Sequence, residues 1–260
     1  MRLVQVPAST AAARELGRGL AVLHDAGAEA FGVPPDGWSG DGFFGPLDQP
    51  LPMVAGRSSS WGAFLAECRL TPLTDALREA RALDRPALDD LTRVADRLRS
   101  GTEDDDDHPA RLHGDLWSGN VVWTAEGATL VDPAAHGGHR ETDPAMLAPF
   151  GLPHLRAVLD AYQEVHPLRR GWQHRVGLHQ LYPVGVHALL FGGEHVGRLR
   201  ELASWWVGTD ERAAVLARRA AAPGRRAADG RANGTALAQV ADSDGAGLAR
   251  VGVGPCVPGL

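Results

Sequence analysis

The stretch Leu112-His113-Gly114-Asp115-Leu116-Trp117-Ser118-Gly119-Asn120, followed by a β-prone run ending Leu130-Val131-Asp132-Pro133, decides how this chain is read. An Asp and an Asn stand at the H-x-D-x-x-x-x-N spacing, and a second Asp closes the next strand. Phosphoryl transfer needs that set of groups. One carboxylate receives the proton of the acceptor hydroxyl, while an amide and a second carboxylate hold Mg²⁺ against the nucleotide phosphates. A tight loop can bring Asp115 and Asn120 to one point, and the returning strand can deliver Asp132 beside them. The spacing makes Asp115 the candidate catalytic base. Asn120 and Asp132 become candidate ligands for Mg²⁺ and, with it, for ATP.

The wording of the loop is narrower than its spacing. His113-Gly114-Asp115-Leu116-Trp117-Ser118-Gly119-Asn120 resembles the signature of the fructosamine kinase (ketosamine-3-kinase) family, relatives of the aminoglycoside phosphotransferases in the protein-kinase-like superfamily. Protein kinases usually carry Arg where Gly114 stands, and aminoglycoside kinases rarely carry Trp at the position of Trp117. Asp132-Pro133-Ala134 stands in place of the protein kinase D-F-G, and Gly138-His139-Arg140-Glu141-Thr142-Asp143 resembles the family's G-H-R-E-x-D. Gln180-Leu181-Tyr182-Pro183, His187 and Leu190-Phe191-Gly192-Gly193 resemble its later block. Phe31-Gly32, Trp61-Gly62-Ala63-Phe64 and Arg69-Leu70 resemble an earlier one.

The resemblance implies an α+β fold, mostly α: a protein-kinase-like large (C-terminal) lobe with a small β-hairpin at the catalytic loop. It also implies ATP-dependent phosphorylation of a sugar hydroxyl on a ketosamine, a fructosamine-type adduct of a free or protein-bound amine. Arg2 to Val6 resembles the end of the hinge strand against which adenine lies, so Val4, Gln5 and Val6 are candidate cofactor contacts. Trp117, placed between Asp115 and Asn120, is a candidate to stack on the sugar or its amine. His113 is a candidate substrate contact, or else a brace of the loop.

Composition narrows the rest. At 260 residues and 44% hydrophobic, the chain can bury a full core. A formal charge of −6 with no basic stripe gives no case for nucleic acid. Cys68 and Cys256 make no disulfide framework, and neither a signal peptide nor a membrane-length apolar run is present, so the expected location is the cytoplasm. All 26 basic residues are arginine, and neither lysine nor isoleucine occurs, a bias fitting a GC-rich gene. Kinases use a small-lobe lysine on the α- and β-phosphates. With that lysine and a glycine-rich loop missing, the chain reads as a large lobe without its small lobe, from a start placed too late or a truncated gene. The competing function is therefore a non-catalytic kinase-like lobe that binds a ligand or partner. A metal hydrolase built on His113, His136 and His139 fits no zinc spacing.

Residues 1–8 read as the hinge remnant, 9–219 as the large lobe and 220–260 as a disordered Ala/Gly/Arg-rich tail. Ser9 or Thr10 can cap a first helix carrying Ala13, Leu16, Leu20 and Leu23. Phe31 to Ser60 reads as a long Gly/Pro-rich surface loop. A helix with Trp61, Phe64, Leu65 and Cys68 on one face should follow. The next should run from Thr71-Pro72 to about Leu83, and a third from Pro86 with Leu88, Leu91, Val94 and Leu98. The acidic run Glu103 to Asp107 reads as a solvated loop. The G-H-R-E-T-D segment reads as a turn whose Arg140, Glu141 and Asp143 pair with the catalytic loop. Helices over about 152–165, 172–190 and 194–206 should close the lobe, with Pro183 inside the second.

Overall fold

The apolar stripe at the start folds into α1 (Thr10–Asp25), and Ser9 is its cap, its hydroxyl accepting the Ala12 amide at 3.1 Å. A computed structural model describes residues 5–46 and 49–221. Helix α1 buries Ala13, Leu16, Leu20 and Ala21 against a later helix over Leu155–Val165, which turns Val158, Ala161 and Tyr162 toward it. The two backbones meet at Gly17, where any Cβ would lie 2.1 Å from the Val158 carbonyl oxygen.

The segment expected to be a plain loop from Phe31 to Ser60 contains a hairpin, β1 (Gly42–Phe44) and β2 (Leu51–Met53), paired antiparallel. Three-residue strands carry too little alternation to stand out from their Gly/Pro surroundings, yet Phe44 and Met53 are buried in the main core. Helix α2 (Trp61–Leu65) is capped by Ser60 and continues through a π-helical turn over Ala66–Leu70 into α3 (Thr71–Glu79). That helix stops four residues short of Leu83. Helix α4 (Arg85–Arg99) has Pro86 in its first turn and buries Leu88, Leu91, Val94 and Leu98.

The catalytic stretch follows as β3 (Ala110–Leu112), the loop, β4 (Val121–Thr124), β5 (Gly127–Leu130), β6 (His136–Gly138) and α5 (Thr142–Leu147). Strands β4 and β5 form an antiparallel hairpin with Val121 opposite Leu130. Strands β3 and β6 pair antiparallel with Ala110 opposite Gly138. The chain closes with α6 (Leu155–Val165), α7 (Trp172–Phe191) and α8 (Glu194–Ala221). Helix α8 runs well past Trp206, the expected end. The proposed tail beyond Ala221 lies outside the described residues.

Two apolar clusters hold these elements. One gathers Phe64, Leu70, Leu77, Leu91, Leu98, Leu181 and Leu199 from α2–α4, α7 and α8. The other joins Leu16, Leu20, Val121, Val158 and Tyr162 from α1, the β4–β5 hairpin and α6. Each fully buried leucine contributes roughly 1.5–3 kcal/mol. Leu116, fully buried in the second cluster, plugs the catalytic loop into the core, while its neighbour Trp117 packs against the first. The loop is thus pinned from both sides.

The acidic run is not a solvated loop. Asp104 accepts the Ser60 hydroxyl at 2.6 Å and the Gly62 amide at 2.7 Å, closing the start of α2. Asp105 is buried between His139 and Arg169. Oppositely charged partners on distant elements draw this run into the fold. Among the described residues, no helix is long and apolar enough to cross a membrane.

Candidate active site

Pairing β3 with β6 and β4 with β5 ties both ends of the loop, so Asp115 follows β3 while Asn120 and Asp132 flank the open end of the β4–β5 hairpin. A 3₁₀ turn over Ser118–Asn120 folds Asn120 back. Its Nδ2 donates to the Asp115 carbonyl at 2.8 Å, to Asp115 Oδ2 at 3.2 Å and, at 3.5 Å, to the Asp132 carbonyl. The Val131 amide donates to the Asn120 carbonyl at 3.1 Å, which sets Asp132 beside it. The three residues named from spacing are therefore brought together.

Asp132 sits at φ 51°, a left-handed conformation that Asp tolerates better than most residues, and its side chain is exposed. Backbone strain of this kind gathers at working sites. Burial pushes the Asp115 carboxyl up to about 6, against the hydrogen bond from Asn120 and with added repulsion from Asp143 and Asp132. Asp115 Oδ1 is buried and accepts no hydrogen bond, a state that a donor hydroxyl would relieve.

The expected substrate contacts part company. Trp117 is half-buried, its ring lying over Gly119, where a Cβ would meet ring carbons at 2.2 Å, and against Phe150 at 5.7 Å. Phe150 in turn faces His187 at 5.1 Å, and His195 stands 5.3 Å from His187. Phe150 and His195 carried no sequence signal, because only the fold sets them beside the loop. Burial lowers the pKa of His187, whose Nδ1 lies 2.8 Å from the Pro183 carbonyl. His113 takes the place expected of a loop brace. It is buried, with Nε2 at 3.0 Å from the Val131 carbonyl and Nδ1 accepting the Asp115 amide at 3.3 Å, so it braces the loop.

Of the hinge residues, Val4 lies outside the described residues. Gln5 and Val6 are exposed, and the Val6 amide donates to the Trp123 carbonyl of β4 at 2.9 Å, laying the segment along the hairpin.

The G-H-R-E-T-D segment divides its work differently from expectation. Asp143 alone holds the catalytic loop, accepting the His113 amide at 2.8 Å and the Gly114 amide at 3.0 Å. Arg140 pairs with Asp25 instead, and Glu141 with Arg175 and His179. His139, Glu141 and His179 lie close enough to hold a metal, as do Asp105, Asp107 and His139. Arg175 and Arg169 already neutralise Glu141 and Asp105, however, and a further cation there would meet their charges.

A loop bearing Asp115 and Asn120, a hairpin delivering Asp132, and a helical body around them define the large lobe of the protein-kinase-like fold. A fructosamine-3-kinase assignment attaches to a solved structure from Thermobifida fusca, which superposes with a TM-score of 0.71 at 45% identity, covering 78% of this chain and 67% of that one. A second, from Haemophilus somnus, shares the fold at 22% identity with a TM-score of 0.65. Proteins assigned as ketoamine kinases in Enterococcus faecium and Synechocystis are 33% and 35% identical over 190 residues. This chain spans 65% and 59% of their lengths, and 73% and 72% of it is covered. The fructosamine kinase family model matches residues 3–204, and the chain belongs to that family.

Proposed function

We propose that this chain binds the acceptor and the metal of an ATP-dependent ketosamine kinase reaction, which phosphorylates a sugar hydroxyl of a fructosamine-type adduct. The observation that supports it best is the meeting of Asp115, Asn120 and Asp132 at one point, with Asp115 Oδ1 left without a donor. With its carboxyl at about 6, Asp115 is ionised at neutral pH and basic enough to orient the acceptor hydroxyl and take its proton. The Asn120 amide steadies Asp115 through Nδ2, while its Oδ1 accepts no hydrogen bond among the described residues. That oxygen and the exposed Asp132 carboxylate are hard donors suited to Mg²⁺. When bound, Mg²⁺ would neutralise nucleotide phosphate oxygens. Gln5 and Val6 offer an edge for adenine beside β4. Trp117, Phe150 and a neutral His187 give the acceptor an aromatic wall fitting a sugar face, and catalysis comes from positioning and charge neutralisation.

The test is phosphate transfer from Mg-ATP to fructosyl-amines, aminoglycosides and peptides, by the protein and by Asp115→Asn and Asp132→Ala. Asp115→Asn should lower kcat by about 10²–10⁴ with nucleotide affinity nearly unchanged. Asp132→Ala should weaken Mg-ATP binding instead. Preferred transfer to an aminoglycoside would overturn the substrate, and undiminished turnover in Asp115→Asn the mechanism.

A further inference from the structure

The catalytic loop rests on a buried carboxylate that itself needs support. Each oxygen of Asp143 accepts one loop amide, Oδ2 from His113 at 2.8 Å and Oδ1 from Gly114 at 3.0 Å. The side chain is buried, and Gly114 beside it has φ +85° with the Ala134 carbonyl so close that no Cβ fits. Burial works against a charge on Asp143, yet its carboxyl is held below the ordinary range, first by the hydrogen bond from His24. His24 belongs to α1, is fully buried, and places Nε2 3.0 Å from Asp143 Oδ2. Its Nδ1 lies 2.7 Å from the Tyr162 hydroxyl, and Arg140 Nη1 lies 3.5 Å from that same oxygen. One assignment of the protons satisfies each of these contacts. Arg140 donates to Tyr162, Tyr162 to His24 Nδ1, and His24 Nε2–H to Asp143, which then has only acceptors to offer the loop.

We propose that His24 is a positioning residue for the catalytic loop, acting through Asp143. Without His24 the buried carboxylate loses its only side-chain donor among the described residues and is driven to take a proton. A protonated Asp143 presents a hydroxyl where a loop amide must be accepted, so one of the two anchors fails. Asp115 is the very next residue, and a displacement of about 1 Å at a reacting group is enough to cost about a hundredfold in rate. The kinetic consequence rests on the ketosamine kinase reading, whereas the structural one does not.

Two substitutions separate this role from plain packing. His24→Gln can place its Nε2 where the imidazole Nε2 stood and still reach Asp143, while His24→Asn is too short. Hydrogen exchange followed by NMR on the whole protein should show the His113 and Gly114 amides at least tenfold less protected in His24→Asn. The α4 amides should be unchanged, and His24→Gln should restore protection. In the transfer assay, His24→Asn should lower kcat about tenfold or more at nearly constant KM, and Gln should recover it. Tyr162→Phe, which removes a single hydroxyl, should loosen the same two amides by a smaller factor and serves if His24→Asn does not fold. Unchanged protection in the reduced variants would overturn the proposal. So would a loss spread evenly over the fold, or Gln behaving no better than Asn. Exchange requires no substrate, so a protein inactive on ketosamines would overturn the proposed function and leave this result standing on its own.

Discussion

Replacing Asp115 by Asn should make the fold more stable at neutral pH while it disables transfer. In the folded protein, burial, opposed by the Asn120 hydrogen bond and reinforced by Asp143 and Asp132, raises the Asp115 carboxyl from 3.8 to about 6. With each unit of pKa worth about 1.4 kcal/mol, keeping this charge opposes folding by about 3 kcal/mol. The sign follows from proton binding. The folded state holds this proton more tightly than the unfolded chain, so the penalty is absent below about pH 4, grows between about 4 and 6, and is constant above. Asn carries no charge, and its amide oxygen can still accept the Asn120 bond. Its new N–H would occupy the place of Oδ1, where no partner exists, at a cost of about 1 kcal/mol. The net expectation is a gain of about 2 kcal/mol at pH 8 that is lost as the pH falls toward 4 and gives way below it to a loss of up to about 1 kcal/mol, because the cost of the unpaired N–H does not depend on pH. Urea denaturation of both proteins at pH 4, 6 and 8 measures it. A difference that does not vary with pH, or an Asn variant less stable at pH 8, would refute the reasoning by showing that the Asp115 charge is well solvated.

Gly114→Ala should cost more than about 2 kcal/mol in urea unfolding, because a Cβ at φ +85° would lie 2.1 Å from the Ala134 carbonyl oxygen. Trp117→Ala should raise KM for a fructosyl-amine about five- to tenfold and leave KM for ATP alone, since it removes one stacking face; steady-state kinetics on both substrates decide it. Burial, helped by the Arg69 charge, depresses His136 to about 3, and burial, partly offset by Glu141, depresses His179 to about 4. Both bind protons more readily once unfolded, so stability should fall as pH drops below about 6.5, the reverse of the Asp115 effect. His179→Gln should flatten that acid limb in thermal melts taken from pH 7 to pH 4.

What the sequence determined by itself was local. Ser9 and Pro86 mark helix starts, the spacing of Leu88, Leu91, Val94 and Leu98 shows which face of α4 is buried, and His113 to Asn120 with Asp132 spells out the loop chemistry. Each follows from contacts within a few residues, where hydrogen-bond reach and helical period act directly. The tertiary structure decided which charged groups are buried and whom they meet. Asp105 looked like one more acid in a solvated run until His139 and Arg169 were packed against it, and Glu141 faces Arg175 instead of the loop. His24 and Asp143 lie 119 residues apart, and neither marks the other in sequence. Phe150 and His195 meet beside Trp117 only because the turn after α5 and the start of α8 are packed together there. The physical reason is common to all of them: desolvation makes a buried charge depend on its partner, and the partner comes from whichever distant element the apolar core brings within reach.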